Sequence, residues 1–142
     1  LWACQQGSLN IIKMLLEHKA NTELKSQKGD TALMRASLHG QLDVVKLLLE
    51  YKADVNTTNK HGNTPLIAAA FYERKGVLEY LLPLSNVNHV SNQGYTALMA
   101  ASTKGFADMV LILLKAGATV EDADPIYGAT ALMLACFKGL KE

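Results

Sequence analysis

The chain lacks a charge of one sign. Fourteen Lys and Arg stand against thirteen Asp and Glu, a formal net charge of +1, and the two kinds are interspersed. Phosphate binding needs a clustered basic face, so this balance argues against nucleic acid as a partner. Long apolar runs are missing too: Val110-Leu-Ile-Leu-Leu114 falls far short of the roughly 20 residues that cross a bilayer, so no membrane insertion is expected. Cysteine is scarce. Cys4 and Cys136 are the only two, and neither has a second soft ligand beside it, so no metal site is expected. Four histidines, His18, His39, His61 and His89, share no metal-ligand spacing and are expected as solvated loop side chains, with only His39 and His61 on positions suited to binding. No glycine-rich phosphate cradle occurs and no nucleophile–base–acid set stands out. No catalytic residue, cofactor or enzymatic activity is therefore assigned.

What the chain has instead is one phrase written four times: Gly29-Asp-Thr-Ala-Leu-Met, Gly62-Asn-Thr-Pro-Leu-Ile, Gly94-Tyr-Thr-Ala-Leu-Met and Gly128-Ala-Thr-Ala-Leu-Met, with the glycines 33, 32 and 34 residues apart. A fixed period of this length means a stack of like supersecondary units, none able to bury its apolar face alone. A second element keeps the same beat. Ile11-Ile12 with Leu15-Leu16, Val44-Val45 with Leu48-Leu49, Val77-Leu78 with Leu81-Leu82, and Met109-Val110 with Leu113-Leu114 fall at spacings of three and four, one stripe of a helix. Leu33/Ala36, Leu66/Ala69, Leu98/Ala101 and Leu132/Ala135 form a narrower stripe on a first helix, whose alanines allow close approach.

Punctuation agrees with this reading. Thr31, Thr64, Thr96 and Thr130 stand where a helix N-cap belongs, and Pro65 follows at the first helical position, where a missing N–H costs nothing. Gly40 and Gly105, matched by Gly7 and Gly139, are expected to end the first helices in a left-handed turn. The connectors are rich in Asn, Asp, Thr and Gly, the residues of hairpin loops. Each unit thus reads as helix, tight turn, helix and extended connector.

This pattern resembles the ankyrin-repeat family. Segment 41–66, from Gln41-Leu-Asp-Val-Val through Gly62-Asn-Thr-Pro-Leu, is close to that family's consensus, and the resemblance covers the whole chain. It implies an all-α ankyrin-repeat solenoid of helix-turn-helix units joined by β-hairpin-like loops. Residues 1–142 are read as a single array with a partial unit at 1–25, full units at 26–58, 59–90 and 91–124, and a partial unit at 125–142. Leu1 falls inside a first helix and Glu142 barely starts a second one, so the array is expected to be a window from a longer chain. With neighbouring helices roughly 9 Å apart, the two cysteines lie too far from each other to pair. They read as small buried thiols in a reducing compartment, which places the protein inside the cell, in the cytoplasm with the nucleus left open.

Departures from the family pattern carry their own expectations. The His that usually follows Thr-Pro-Leu and ties neighbouring hairpins is replaced by Met34, Ile67, Met99 and Met133, so a polar latch between repeats is expected to be absent. Lys19 and Lys52 stand where the family prefers Gly, as at Gly117, and a left-handed backbone there costs each up to about 1 kcal/mol. In the unit 59–90, Glu73 replaces the turn glycine and Pro83 is expected to cut the second helix early. The unit 91–124 is lengthened around Asp122–Asp124.

The resemblance also implies where a partner touches: a concave surface made of hairpin tips and the inner side of each first helix. Carried onto this chain, the tips contribute Gln27, Lys28 and Asp30, then Lys60, His61 and Asn63, then Asn92, Gln93 and Tyr95, and last Ile126, Tyr127 and Ala129. The helix ends contribute Gln5, Gln6, Leu38, His39, Phe71, Tyr72, Thr103, Lys104, Phe137 and Lys138. Trp2 and Arg35 occupy a further position open to the groove. Six of the nine aromatics, Trp2, Phe71, Tyr72, Tyr95, Tyr127 and Phe137, fall in this set. Large rigid side chains dominate binding hot spots, although packing between adjacent repeats is an alternative use for Phe71 and Phe137. The function implied is non-catalytic binding of another protein or an extended peptide, with Arg35, Arg74, Lys60 and Lys104 favouring an acidic stretch. The isolated domain is expected to be monomeric. A structural spacer or scaffold segment, and a small-molecule-sensing array attached to an enzyme elsewhere, remain alternatives. Asn56 carries one more reading: Leu48, Asp54, Val55 and Asn56 match the pattern of ankyrin substrates of asparaginyl hydroxylase, while a turn-capping role is the plain alternative.

Overall fold

The computed structural model describes residues 9–141. They form eight α-helices: α1 (Leu9–Glu17), α2 (Ala32–Leu38), α3 (Leu42–Glu50), α4 (Pro65–Phe71), α5 (Lys75–Leu81), α6 (Ala97–Lys104), α7 (Ala107–Lys115) and α8 (Ala131–Lys141), with a 3-10 turn at Leu82–Leu84. Among the described residues there is no strand, only an isolated antiparallel bridge between Ala123 and Thr130.

The helices pack as two layers. First helices α2, α4, α6 and α8 stack on one another, second helices α1, α3, α5 and α7 stack beside them, and α2/α3, α4/α5 and α6/α7 pack as pairs. Ala36, Ala69 and Ala101 are fully buried between the first helices, where a side chain with nothing beyond Cβ lets two backbones close in. Leu33, Leu66 and Leu98 fill the space beside them, buried to 2% exposure or less, and each contributes about 2 kcal/mol of apolar burial. In the second layer Val44, Val45, Leu48, Val77, Leu78, Leu81, Met109 and Leu113 are buried. The expected stripes thin out at either side: Ile11, Leu15 and Leu114 are exposed, and so are Leu132 and Ala135, because α8 has no second helix against it among the described residues.

Every threonine cap is formed. The hydroxyls of Thr31, Thr64, Thr96 and Thr130 accept the amides of Met34, Ile67, Met99 and Met133 at 3.2–3.4 Å, each satisfying one orphan donor. Gly105 caps α6 in the left-handed region, and Gly40 takes the same conformation beyond α2. Glu73 does so beyond α4 at φ 57°, as do Lys19 and Lys52 at φ 63° and 68°. Gly139 differs from the expectation: it lies inside α8, which runs on past the turn position. Gly7 and Cys4 lie outside the described residues. Pro83 does shorten its unit, with α5 ending at Leu81 in the 3-10 turn.

The latch between repeats is present, contrary to the expectation, and comes from the loops rather than from the helix starts. His89 Nε2–H donates to Gly62 O at 2.9 Å, so this histidine is not a solvated side chain. Asn92 donates from its side chain to Lys60 O and from its backbone to His61 O, both at 2.9 Å. A further series keeps strict phase. Glu23 Oε1 accepts from Asp54 N–H, Asn56 Oδ1 from Asn86 N–H and Asn88 Oδ1 from Thr119 N–H, at 2.9, 3.1 and 2.8 Å. Loop carboxylates and amides replace the missing helix-start histidines.

Candidate functional site

Hairpin tips and first helices of successive units share one face, and between them lies a depression of about 590 Å³. Its floor is apolar: Met34, Leu38, Ile67, Ala68 and Ala100. Its far wall is aromatic, Phe71 and Tyr72, and its rim is polar, with Lys28, Asp30, Asn59, His61, Asn63, Gln93 and Tyr95. Three consecutive repeats therefore contribute to one continuous surface.

The rim is stiff for a definable reason. In each loop a short polar side chain at the same phase closes the turn on itself. Ser26 Oγ accepts from Asp30 N–H at 3.2 Å, Asn59 Oδ1 from His61 and Asn63 N–H at 3.0 and 3.1 Å, and Ser91 Oγ from Tyr95 N–H at 3.1 Å. Asp124 takes the role in the lengthened fourth loop, accepting from Ile126, Tyr127 and Ala129 at 2.8–3.0 Å. The amide of Tyr127 foremost, then those of Ala129 and Ile126, hold its carboxyl below the usual aspartate value against the opposing effect of burial. Neighbouring tips also touch through their backbones, Lys60 N–H donating to Lys28 O at 3.2 Å. Gly29 is required at this contact, since it has φ +82° and a Cβ there would meet Lys60 N at 2.7 Å.

The aromatic wall is built on the irregular turn. Phe71 and Tyr72 meet edge-on with centroids 5.1 Å apart, the Lys104 ammonium lies 4.2 Å from the Phe71 ring centre, and the two rings keep 39% and 46% exposure. Phe71 thus both packs against the next repeat, through Lys104, and remains open. Arg35 lies 3.9 Å from Asp30, whose other oxygen accepts from Asn59 Nδ2 at 3.0 Å. The depression is lined by two full cations, Lys28 and Arg35, against this one acid, which is already engaged.

Of the residues singled out in the sequence, Lys28, Asp30, Arg35, Leu38, His61, Asn63, Phe71, Tyr72, Gln93, Tyr95 and Thr103 line this depression. Lys60 and Lys104 flank it through the contacts just described. His39 does not line it: its Nε2 is buried without a hydrogen-bond partner at the end of α2. Burial, then Arg35 and Arg74, hold the imidazole below its ordinary value. Tyr127 is almost fully exposed and Phe137 largely so, both outside the depression. Trp2, Gln5 and Gln6 lie outside the described residues. Arg74 is committed elsewhere, its Nε donating to Leu38 O at 2.9 Å, so it ties α5 to the preceding unit. Asn59, which also lines the depression, was not singled out in the sequence, although it stands at the same phase of its hairpin as Ser26 and Ser91. Asn56 is exposed with its backbone N–H held by Asp54 Oδ1 at 2.9 Å.

Among the described residues no group of three or more His, Cys, Asp or Glu comes together as a metal site, and no helix is long and apolar enough to cross a membrane. Cys136 is unpaired but exposed rather than buried as expected, since α8 has no second helix against it among the described residues.

Comparison with known proteins agrees with this architecture. The family model described as ankyrin repeats (3 copies) matches residues 1–59, 51–124 and 83–142. The mouse "Ankyrin repeat and SAM domain-containing protein 6" is 38% identical over 58 residues, 41% of this chain and 7% of that protein. A "Putative ankyrin repeat protein" of Rickettsia bellii is 59% identical over 32 residues, 22% of this chain and 4% of that protein. The chain thus spans only a small fraction of the length of the curated relatives it matches. Ankyrin repeats are in general protein–protein interaction modules, and typically non-enzymatic ones. The four-fold phrase, the helix pairs and the family match over the whole sequence establish that the chain belongs to the ankyrin-repeat family.

Proposed function

We propose that this array is a non-catalytic binding module that holds an extended segment of another protein along its concave, loop-and-first-helix face. The observation that carries the reading is the continuous depression shared by three repeats, apolar at its floor, aromatic at one wall and lined with hydrogen-bonding side chains at its rim. Such a surface suits a peptide. The Phe71/Tyr72 pair offers an anchor for an apolar side chain, while Asn63, Gln93 and His61 offer partners to peptide backbone groups. Polar rims around an apolar centre are the common anatomy of protein interfaces. The units are those read from the sequence, 26–58, 59–90 and 91–124, the module acts as a monomer, and its compartment is intracellular. Asn56, exposed in its loop, is the residue on which asparaginyl hydroxylation would act, as a modification incidental to binding.

Proximity labelling in cells tests the reading, comparing this array with a Phe71→Ala/Tyr72→Ala variant. Both rings are partly exposed and lie outside the buried core, so the variant is expected to stay folded, with some loss of melting temperature from the Phe71 contacts, while losing a defined set of partners. Partners unchanged by the variant move the interface to another face. A pattern without specific partners favours the spacer instead.

A further inference from the structure

We propose that the depression reads a short acidic peptide through two separate anchors, a carboxylate at the rim and an apolar side chain at the aromatic wall. This inference rests on the concave-face reading above and adds the chemistry of the occupant. The two ends of the depression differ in kind. At the rim, Lys28 and Lys60 are exposed on stacked tips. The Lys60 stem lies along Gly29, where an added Cβ would sit 3.1 Å from its Cγ, so the two tips are locked together rather than splayed. The Arg35 guanidinium lines the same surface, and its neighbour Asp30 is satisfied by Asn59 as well as by Arg35. Lys28 and Lys60, beside an Arg35 that is shared with Asp30, therefore leave this corner with an excess of positive charge, and such a corner rewards an incoming anion. At the other end Phe71 and Tyr72 present an edge-to-face pair to an apolar group. Lys104 above Phe71 keeps that end cationic as well, so neither end rewards a basic ligand. An occupant complementary to both ends carries Asp or Glu at one point and Leu, Phe or Trp a few residues away.

Selection from a phage-displayed library of random dodecapeptides tests this, run on the wild-type array, on Lys28→Glu/Lys60→Glu and on Phe71→Ala/Tyr72→Ala. All four positions are exposed, and cooperative melting curves verify that the variants fold. The wild type is expected to enrich acidic peptides with one large apolar residue. The charge-reversed array loses the acidic bias, the aromatic variant loses the apolar preference, and a synthesised winner binds each variant about tenfold more weakly. Enrichment of peptides without acids, abolished by Phe71→Ala/Tyr72→Ala, overturns the carboxylate anchor and leaves the concave-face reading standing. No enrichment, or enrichment indifferent to both double variants, overturns both.

Discussion

Asn56 Oδ1 accepts the backbone N–H of Asn86, thirty residues further along the chain, at 3.1 Å. Glu23 and Asn88 make the same contact one unit earlier and one unit later, so the bond is a property of the stack. Each repeat lends a side-chain oxygen to the next repeat's loop. Removing one partner leaves an amide to find water, and Asn56→Ala is expected to cost about 1 kcal/mol. Asn56→Asp retains an acceptor and is expected to cost less. Chemical denaturation of the two variants checks this, and equal losses would show that the acceptor is not what matters. A hydroxyl added at Cβ of Asn56 leaves Oδ1 in place, so a hydroxylated sample is expected to melt at or above the temperature of the unmodified protein.

Glu73 holds φ 57° at the turn where Gly40 and Gly105 serve the neighbouring units. A side chain in that region costs about 1 kcal/mol relative to glycine, and Glu73 is exposed, so nothing offsets the cost through burial. Glu73→Gly is expected to stabilise the array by up to about 1 kcal/mol. Lys19→Gly and Lys52→Gly are expected to act in the same direction, and because each strain is confined to its own turn their effects should add. Thermal unfolding of the single and triple variants measures it, and a destabilised Glu73→Gly would contradict the account.

Asp124 organises the fourth loop with three amides, and its carboxyl is held below the ordinary value of 3.8. A depressed folded value means that the contribution is fully present above the unfolded value and is lost as pH falls through the folded one. Loop order should therefore persist at pH 5 and above and fail only below the usual aspartate range. Amide hydrogen exchange at Ile126, Tyr127 and Ala129 is expected to accelerate there. Asp124→Ala is expected to show the fast exchange at every pH.

His39 behaves with the opposite charge and the same sign of linkage. Burial first, then Arg35 and Arg74, lower its value below 6.5. The neutral ring is the favoured form, so its contribution is intact above 6.5 and is lost as pH falls through the lowered folded value. His39→Gln is expected to flatten the fall in melting temperature below pH 6.5. Titration of the ring by NMR reads the value directly, and a midpoint at or above 6.5 would contradict the assignment of causes.

Local rules made the helices legible. Thr31, Thr64 and Thr96 cap as their position demands, and Ala36, Ala69 and Ala101 are buried where small residues were expected. The left-handed backbone at Lys19, Lys52 and Glu73 was legible too, because the turn's geometry does not depend on the residue that occupies it. Contacts between repeats were not. Arg74 looked available to a ligand, yet its Nε is bound to Leu38 O, and His89 looked solvated, yet it bridges to Gly62 O. These bonds depend on the rise and rotation from one unit to the next, which the spacing of residues along a chain does not contain. Gly139 shows the same limit: its place in the period marks a turn, but α8 continues through it with no second helix packed against it among the described residues. The depression itself was half legible. Its aromatic wall and the tip residues Lys28 and Asp30 were anticipated, while Asn59 entered only once the stacked tips set it beside Asp30 and His61.

The most direct test of the central claim is hydrogen–deuterium exchange of the array, free and bound to a partner recovered by proximity labelling. Binding on the concave face predicts added protection in segments 28–38, 61–72 and 93–103, the tips and first helices of three successive units. Protection confined to the second helices, Leu42–Glu50, Lys75–Leu81 and Ala107–Lys115, would place the partner on the opposite layer and contradict it.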